Sequence, residues 1–211
     1  ILPKDYPDLD VRKMEINLVQ GGNRVLDSMS ENASEKADKF LQDLGVSIWK
    51  NVRVTGYDGK IVTTNSDLIF DSATVIWTAG VQGALPNGLK ADSFVTRINR
   101  IKVNQFNQVE GYDNIFAIGD IALMVSDKNP QGHPMMAQPA MQQGKLLGEN
   151  LVKLLGKKPM KPFVYKDKGS MATIGRNKAV VDLPNYQFSG VFAWFVWMFV
   201  HLFSLIGFKN K

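Results

Sequence analysis

The sequence contains no cysteine in its 211 residues, which excludes disulfides, thiolate metal sites and redox-active dithiols. Its only histidines, His133 and His201, lie far apart, so no metal site is expected. No G-x-G-x-x-G loop occurs, although a dinucleotide-binding domain normally opens with one. Either the chain is not such a domain or the opening is missing. It starts at Ile1 instead of a methionine and shows no signal-like leader, which favours the second reading: the N-terminus reads as the middle of something longer. Internal repeats and low-complexity tracts are absent as well.

What is present is apolar and unevenly charged. At 45% hydrophobic, the chain is long enough for one or two α/β units with real cores. The net charge of +5 conceals a split. Residues 151–211 hold ten lysines and arginines against Asp167 and Asp182, a local +8, which leaves −3 for the first 150 residues. A basic end joined to an apolar helix suggests an anionic membrane surface. Nucleic acid is not expected, because no recognised motif accompanies the patch and its aromatics form a solid block instead of alternating with the bases.

That block, residues 191–208, has only His201 and Ser204 as polar interruptions. A spanning helix needs about 20 apolar residues, so crossing is marginal. The stripe Trp194, Trp197, His201 and Ser204, followed by lysines, fits a helix lying in the interface with tryptophans at headgroup depth. A buried core helix is the plain alternative.

Local patterns divide the rest. Residues 14–20 (MEINLVQ) alternate as a strand, and Ser30 opens a helix with Ala33, Ala37, Phe40, Leu41 and Leu44 on its apolar face and Gly45 as its stop. VSIW follows as a second strand, so this is a βαβ unit with a parallel sheet. Tyr57-Asp58-Gly59 marks a hairpin turn within a small antiparallel meander, which returns to a core strand at 74–79. VQGALPNGLKAD reads as a domain crossing. RIKVN and NIFAIGD are expected as strands. A helix then carries the stripe Ala140, Gly144, Leu147, Leu151 and Leu154, with Pro139 in its first turn. Two or three strands with a turn at 166–169 complete the chain before the aromatic block.

Four residues at three places could carry chemistry. Gln20 ends a strand where dinucleotide folds usually place an acid to bind ribose hydroxyls; it can still bond the ribose but lacks the charge that repels a 2′-phosphate. An ordinary polar strand end is the alternative. Asp120, after an apolar strand and Gly119, can accept hydrogen bonds from a sugar or sugar-alcohol, or can simply cap the following turn. Gln138 and Gln142 lie one turn apart at a helix start, where neutral amides can bond a quinone carbonyl at little desolvation cost and the helix dipole favours negative charge. A solvated helix face is the bland reading there.

Taken in order, WTAGV (77–81), DNIFAIGD (113–120), AQPAMQQG (137–144) and YKDKGSMATIGRNKAV (165–180) closely resemble the type II NADH:quinone oxidoreductases, single-subunit flavoenzymes of respiratory membranes. The opening ILPKDYP and the closing AWFVWMFVHLFSLIGF are similar too, so the resemblance covers nearly the whole chain. It implies an α/β fold: part of a two-domain, Rossmann-like FAD- and NAD(P)-binding flavoprotein with a C-terminal amphipathic membrane-anchoring helix. Residues 1–79 would be the later part of the NADH-binding domain, 80–160 the C-terminal part of the FAD-binding domain, and 161–211 the C-terminal strands and anchor. Both glycine loops would lie upstream of Ile1.

Carried over by residue, the resemblance assigns Gly119 and Asp120 to FAD, with Asp120 holding its ribityl chain. Gln138 and Gln142 would line a quinone tunnel at the flavin, approached by Lys168 and Met171. Lys168 would favour an anionic reduced flavin by charge attraction. Ala79 and Gly80 would let backbone come close to the cofactors. Gln20 departs from the family's acid and puts the preference for NADH over NADPH in doubt; NADH remains the expected donor. The implied activity is electron transfer from NADH through FAD to a membrane quinone without proton pumping, at the cytoplasmic face of a bacterial inner membrane. The lipid surface and the quinone are its partners, a homodimer is left open, and the isolated chain is expected to be inactive. A related FAD-dependent reductase with another acceptor, or a non-catalytic membrane-attached module, is the rival reading.

Overall fold

The computed structural model describes residues 8, 10, 13–127 and 129–206, with side chains through Phe203. The opening ILPKDYP, the Ser204 side chain and the closing lysines fall outside the described residues. Two compact units form, one from residues up to Ile76 together with those from Gly169 onward, the other from Trp77–Lys168.

In the first unit β1 (Ile16–Gln20), α1 (Glu31–Asp43) and β2 (Val46–Lys50) make the expected βαβ unit, and β1 pairs with β2 in parallel from Ile16↔Val46 to Gln20↔Lys50. Ser30 starts α1 because its extended backbone lets Oγ accept from the Ala33 N–H (3.3 Å). Gly45, at φ +81°, ends it. The meander β3 (Val54–Tyr57), β4 (Ile61–Thr64) and β5 (Ile69–Asp71) turns at Asp58, whose Oδ1 accepts from the Lys60 and Ile61 N–H groups (2.9 and 2.7 Å). Those bonds favour the ionised carboxylate and hold its pKa below the usual value.

The C-terminal strands β9 (Ser170–Thr173), β10 (Ala179–Asp182) and β11 (Gln187–Gly190) form an antiparallel sheet beside α1. Strand alternation assigns β10 to two layers. Val180 packs with Val25, Met29, Ala33, Ala37 and Ile174, whereas Ala179 and Val181 pack with Ala193 of the last helix, α3 (Val191–Ile206). Burying a valine of this kind contributes about 1.5–3 kcal/mol. Asp182 ties the layers together, its Oδ2 accepting from the Ser30 N–H at 2.6 Å. The turn expected at 166–169 lies instead between β9 and β10, where Asn177 (φ +62°) and the Ile174 N–H to Lys178 carbonyl bond reverse the chain.

Helix α3 packs on the sheet through its first turns. Ala193 is fully buried, but Phe192, Phe195, Phe199, Leu202 and Phe203 are more than half exposed. Trp197 stacks on His201 (4.2 Å), whose Nδ1 donates to the Trp197 carbonyl (2.7 Å). Among the described residues no helix is long and apolar enough to cross a membrane.

The second unit holds β6 (Phe94–Val95), β7 (Arg100–Val103), β8 (Ala122–Met124) and α2 (Ala137–Leu155), with a core of Ile101, Val103, Val109, Ala117, Ala122, Met124 and Phe163. Strand β7 pairs antiparallel with β6 and parallel with β8.

Three expectations are corrected. Residues 74–79 form no strand; Ile76 and Trp77 are 81% and 65% exposed, since an apolar run needs a neighbouring strand and none among the described residues pairs with it. NIFAIGD is likewise an extended segment, with an isolated bridge at Gln108↔Phe116 and single hydrogen bonds such as the Ala117 N–H to the Asn107 carbonyl (2.9 Å), and the strand comes after Asp120, not before it. On α2 the buried positions are Pro139, Gln143 and Asn150, while Leu151 and Leu154 are exposed. Buried amides take the inward face because irregular backbone packs there and must be hydrogen-bonded.

Asn150 shows the dependence. Its Nδ2 donates to the Lys161 carbonyl and its Oδ1 accepts from the Lys161 N–H, both at 2.8 Å. Asn150→Leu keeps the volume and removes both bonds, and is expected to lower urea-unfolding stability by about 2 kcal/mol. A loss below about 0.5 kcal/mol would mean that water replaces the amide.

Candidate functional site

The start of α2 brings most of the expected residues of the second unit together. No side chain caps its N-terminus, Met136 holding that position, so the positive end of the helix dipole is left without an acidic neighbour in its first turn. Gly119 lies against it: the Gly119 N–H donates to Gln143 Oε1 (2.7 Å), and a Cβ on Gly119 would come within 3.3 Å of Ala140 Cβ. With φ +73° as well, the position suits glycine twice over. Asp120 follows in a one-turn 3₁₀ segment, Gly119–Ile121, with an exposed side chain. An exposed carboxylate that can accept from hydroxyls, on a tight turn beside a positive helix start, fits a hydroxylated, anionic cofactor such as FAD.

The two glutamines grip the chain segment that precedes β9. Gln142 Nε2 donates to the Lys166 carbonyl (2.9 Å) and its Oε1 accepts from the Lys166 N–H (3.0 Å). One turn earlier, Gln138 Oε1 accepts from the Lys168 N–H (3.3 Å). Gln138, Gln142 and Lys168 therefore cluster, the Lys168 side chain being exposed.

Other expected residues lie elsewhere. Ala79 and Gly80 are exposed in the run after residue 76, where the Trp77 indole N–H donates to the Ala79 carbonyl (3.0 Å) and Gly80 adopts φ +81°. Met171, in the first unit, is partly buried against Ala179, Val181 and Ala193. Gln20 ends β1 half-buried, its Nε2 donating to the Arg24 carbonyl (3.2 Å). At these strand ends a cleft of about 250 Å³ is lined by Asn23, Arg24, Glu31, Ser34, Asp38 and Lys50, among other residues, with Lys50 bonded to Asp38 at 2.6 Å.

Sequence reasoning missed the supporting groups, Gln143, Arg100 and His133. Arg100 and His133 are buried, 6% and 7% exposed. The His133 ring meets Phe163 and Tyr165 edge-on (5.3 and 5.5 Å). Burial, with a smaller effect from Arg100, pushes the His133 imidazole below its usual pKa. Burial and the Asp167 carboxylate push the Tyr165 phenol up. Only the GHP sequence beside a glutamine-rich helix start could have drawn attention to His133.

Comparison with known proteins fits this arrangement. Residues 9–144 match the pyridine nucleotide-disulphide oxidoreductase family, and the chain belongs to it. Residues 168–211 match the NDH2 C-terminal domain, which points to one branch of that family. In that branch, the type II NADH:quinone oxidoreductase Ndh of Mycobacterium tuberculosis is 36% identical over 98% of this chain and 45% of its own length. The type II NADH:quinone oxidoreductase of Haemophilus influenzae is 29% identical over 85% of this chain and 40% of its own. The chain thus spans less than half the length of these relatives. In fold it resembles NDH2 from Plasmodium falciparum, solved in complex with NADH (TM-score 0.82, 20% identity, 95% of this chain and 56% of that one). The sulfide:quinone oxidoreductase of Aquifex aeolicus has a TM-score of 0.75 at 14% identity, over 99% of this chain and 52% of that one.

The buried imidazole makes a pH prediction. His133 is neutral when folded, with its pKa depressed, and takes up a proton more readily once unfolded. Stability is then complete above the usual pKa of 6.5 and falls as pH drops below it. Between about pH 7 and about pH 5, the urea midpoint of His133→Gln should fall less than that of the wild type. Parallel declines would remove His133 as the source.

Proposed function

We propose that the protein carrying this chain passes electrons from NADH through FAD to a membrane quinone, without pumping protons. The observation that carries the reading is the gathering of Gln138, Gln142 and the 166–168 segment at the open start of α2, with the Gly119–Asp120 turn packed on the same helix. The likeness to type II NADH:quinone oxidoreductases supports it. FAD, when bound, would accept hydride from NADH and give two electrons to a quinone, which takes up two protons. Asp120 would hold the ribityl hydroxyls, and the helix start would favour negative charge on the reduced ring. Lys168 adds a mobile positive charge. Gln138 and Gln142, with Met171, would line the path of a neutral, apolar acceptor.

In this reading residues 1–79 belong to the NADH-binding domain, 80–160 to the FAD-binding domain and 161–211 to the C-terminal strands and anchor. Ala79 and Gly80 would border the cofactors. The exposed phenylalanines of α3 support a helix lying on the cytoplasmic leaflet of a bacterial inner membrane, peripheral and in the interface, with the lipid surface and a second copy as proposed partners. Gln20 would bond the adenosine ribose of NADH.

Rapid-mixing absorbance on the full-length, membrane-bound protein tests the reading. NADH should bleach the flavin and quinone should restore it. Bleaching without recovery would point to a different acceptor, and absence of a flavin signal would refute the reading outright. Gln142→Ala, which frees the 166 backbone, should slow the quinone half-reaction about tenfold more than the NADH half-reaction; equal effects would remove it from the quinone path. Gln20→Glu should lower NADPH use at least about tenfold with little change for NADH, as one repulsive charge pair implies. Unchanged NADPH kinetics would mean that this side chain does not read the ribose.

A further inference from the structure

Arg100 has a role that the proposed activity does not yet use. Among the described residues it is the one permanently charged side chain that is buried. It leaves β7 and donates through Nη2 to two carbonyls, Ala122 (2.5 Å) and His133 (3.2 Å). Ala122 closes the 3₁₀ turn that contains Asp120, and His133 belongs to the stretch leading into α2. One guanidinium therefore fastens both sides of the candidate FAD site. The stretch packs close to it because residue 132 is glycine: a Cβ there would stand 3.7 Å from Arg100 Nη1 and 2.7 Å from Leu123 Cδ1.

Two carbonyls alone do not call for a charge, since a neutral amide could bond both. Burial works against the cation, and the acid that offsets this is Asp120. The guanidinium is bonded to the Ala122 carbonyl at the end of the same turn, so its charge stays near the Asp120 carboxylate, which is exposed and therefore partly screened by solvent. We propose that Arg100 is a positioning residue for the flavin: it fixes the Gly119–Ala122 turn and, by its charge, holds the Asp120 carboxylate where a hydroxylated cofactor chain can donate to it. The inference rests on the FAD reading above and adds a residue outside the site itself.

The test is the affinity of the full-length apoprotein for FAD, measured by flavin fluorescence quenching, with thermal melting in parallel. Arg100→Lys keeps the charge, and Arg100→Gln keeps a donor without it. Arg100→Gln should weaken FAD about tenfold, and Arg100→Lys should restore most of that affinity. In an Asp120→Asn background, Arg100→Gln should cost less than about threefold, because the carboxylate that it acts on is gone. Melting temperature should drop in both backgrounds through the lost bonds to Ala122 and His133, and by less in Asp120→Asn, where no carboxylate offsets the buried charge.

Equal losses of affinity in the two backgrounds, or no rescue by lysine, would make Arg100 structural only and overturn the proposal. If Asp120→Asn alone leaves FAD affinity unchanged, Asp120 is not the group being positioned and the proposal falls while FAD binding stands. If no variant and no wild-type apoprotein binds FAD, the functional reading itself fails.

Discussion

Amide side chains on one helix hold the irregular backbone of the second unit in place, and the candidate site depends on that. Extended segments packed against a helix have N–H and C=O groups that need partners, and among the described residues no neighbouring strand supplies them at 161–168 or at Gly119. Gln142 answers Lys166 as a strand would, with one donor and one acceptor on the same residue. Asn150 does the same for Lys161, while Gln143 accepts the Gly119 N–H and Gln138 accepts the Lys168 N–H. Each bond contributes only about 0.5–1.5 kcal/mol, but leaving a buried group unpaired costs about 1–3 kcal/mol. The glutamines are therefore fixed in place by the backbone groups that they bond.

The first unit rests on a different constraint. Strand β10 is buried on both faces, so its alternate residues serve two helices: Val180 faces α1, and Ala179 and Val181 face α3. Alanines at 0% exposure in α1, β10 and α3 allow the close approach. Only the first turns of α3 take part, and the later turns present phenylalanines outward. Phe192, Phe195, Phe199, Leu202 and Phe203, each more than half exposed, give this helix an apolar outer face.

Much of the fold was legible from local signals. Ser30, Gly45, Asp58-Gly59 and the alternation of MEINLVQ each encode a cap, a stop, a turn or a strand in a few residues, and each formed where expected. The two apolar runs at 74–79 and 115–118 misled, because strand formation requires a partner whose position no local pattern specifies. The stripe on α2 misled for a related reason. Leucine marks a face that can be buried, but Gln143 and Asn150 are buried here because backbone elsewhere needed them.

Of the candidate site, the sequence by itself determined the residue types and their spacing: two amides one helical turn apart, a Gly-Asp pair, a lysine ahead of the last sheet, and an aromatic C-terminal helix. Those follow from the period of the helix and the order of the chain. Only the tertiary structure decided that Gln142 closes on Lys166, that Gly119 meets Gln143, and that a charge from β7 lies beneath the Asp120 turn. These contacts join residues about 20 or more positions apart. Their partners are chosen by which backbone groups are left unpaired once the core has packed, and that is a property of the folded chain as a whole.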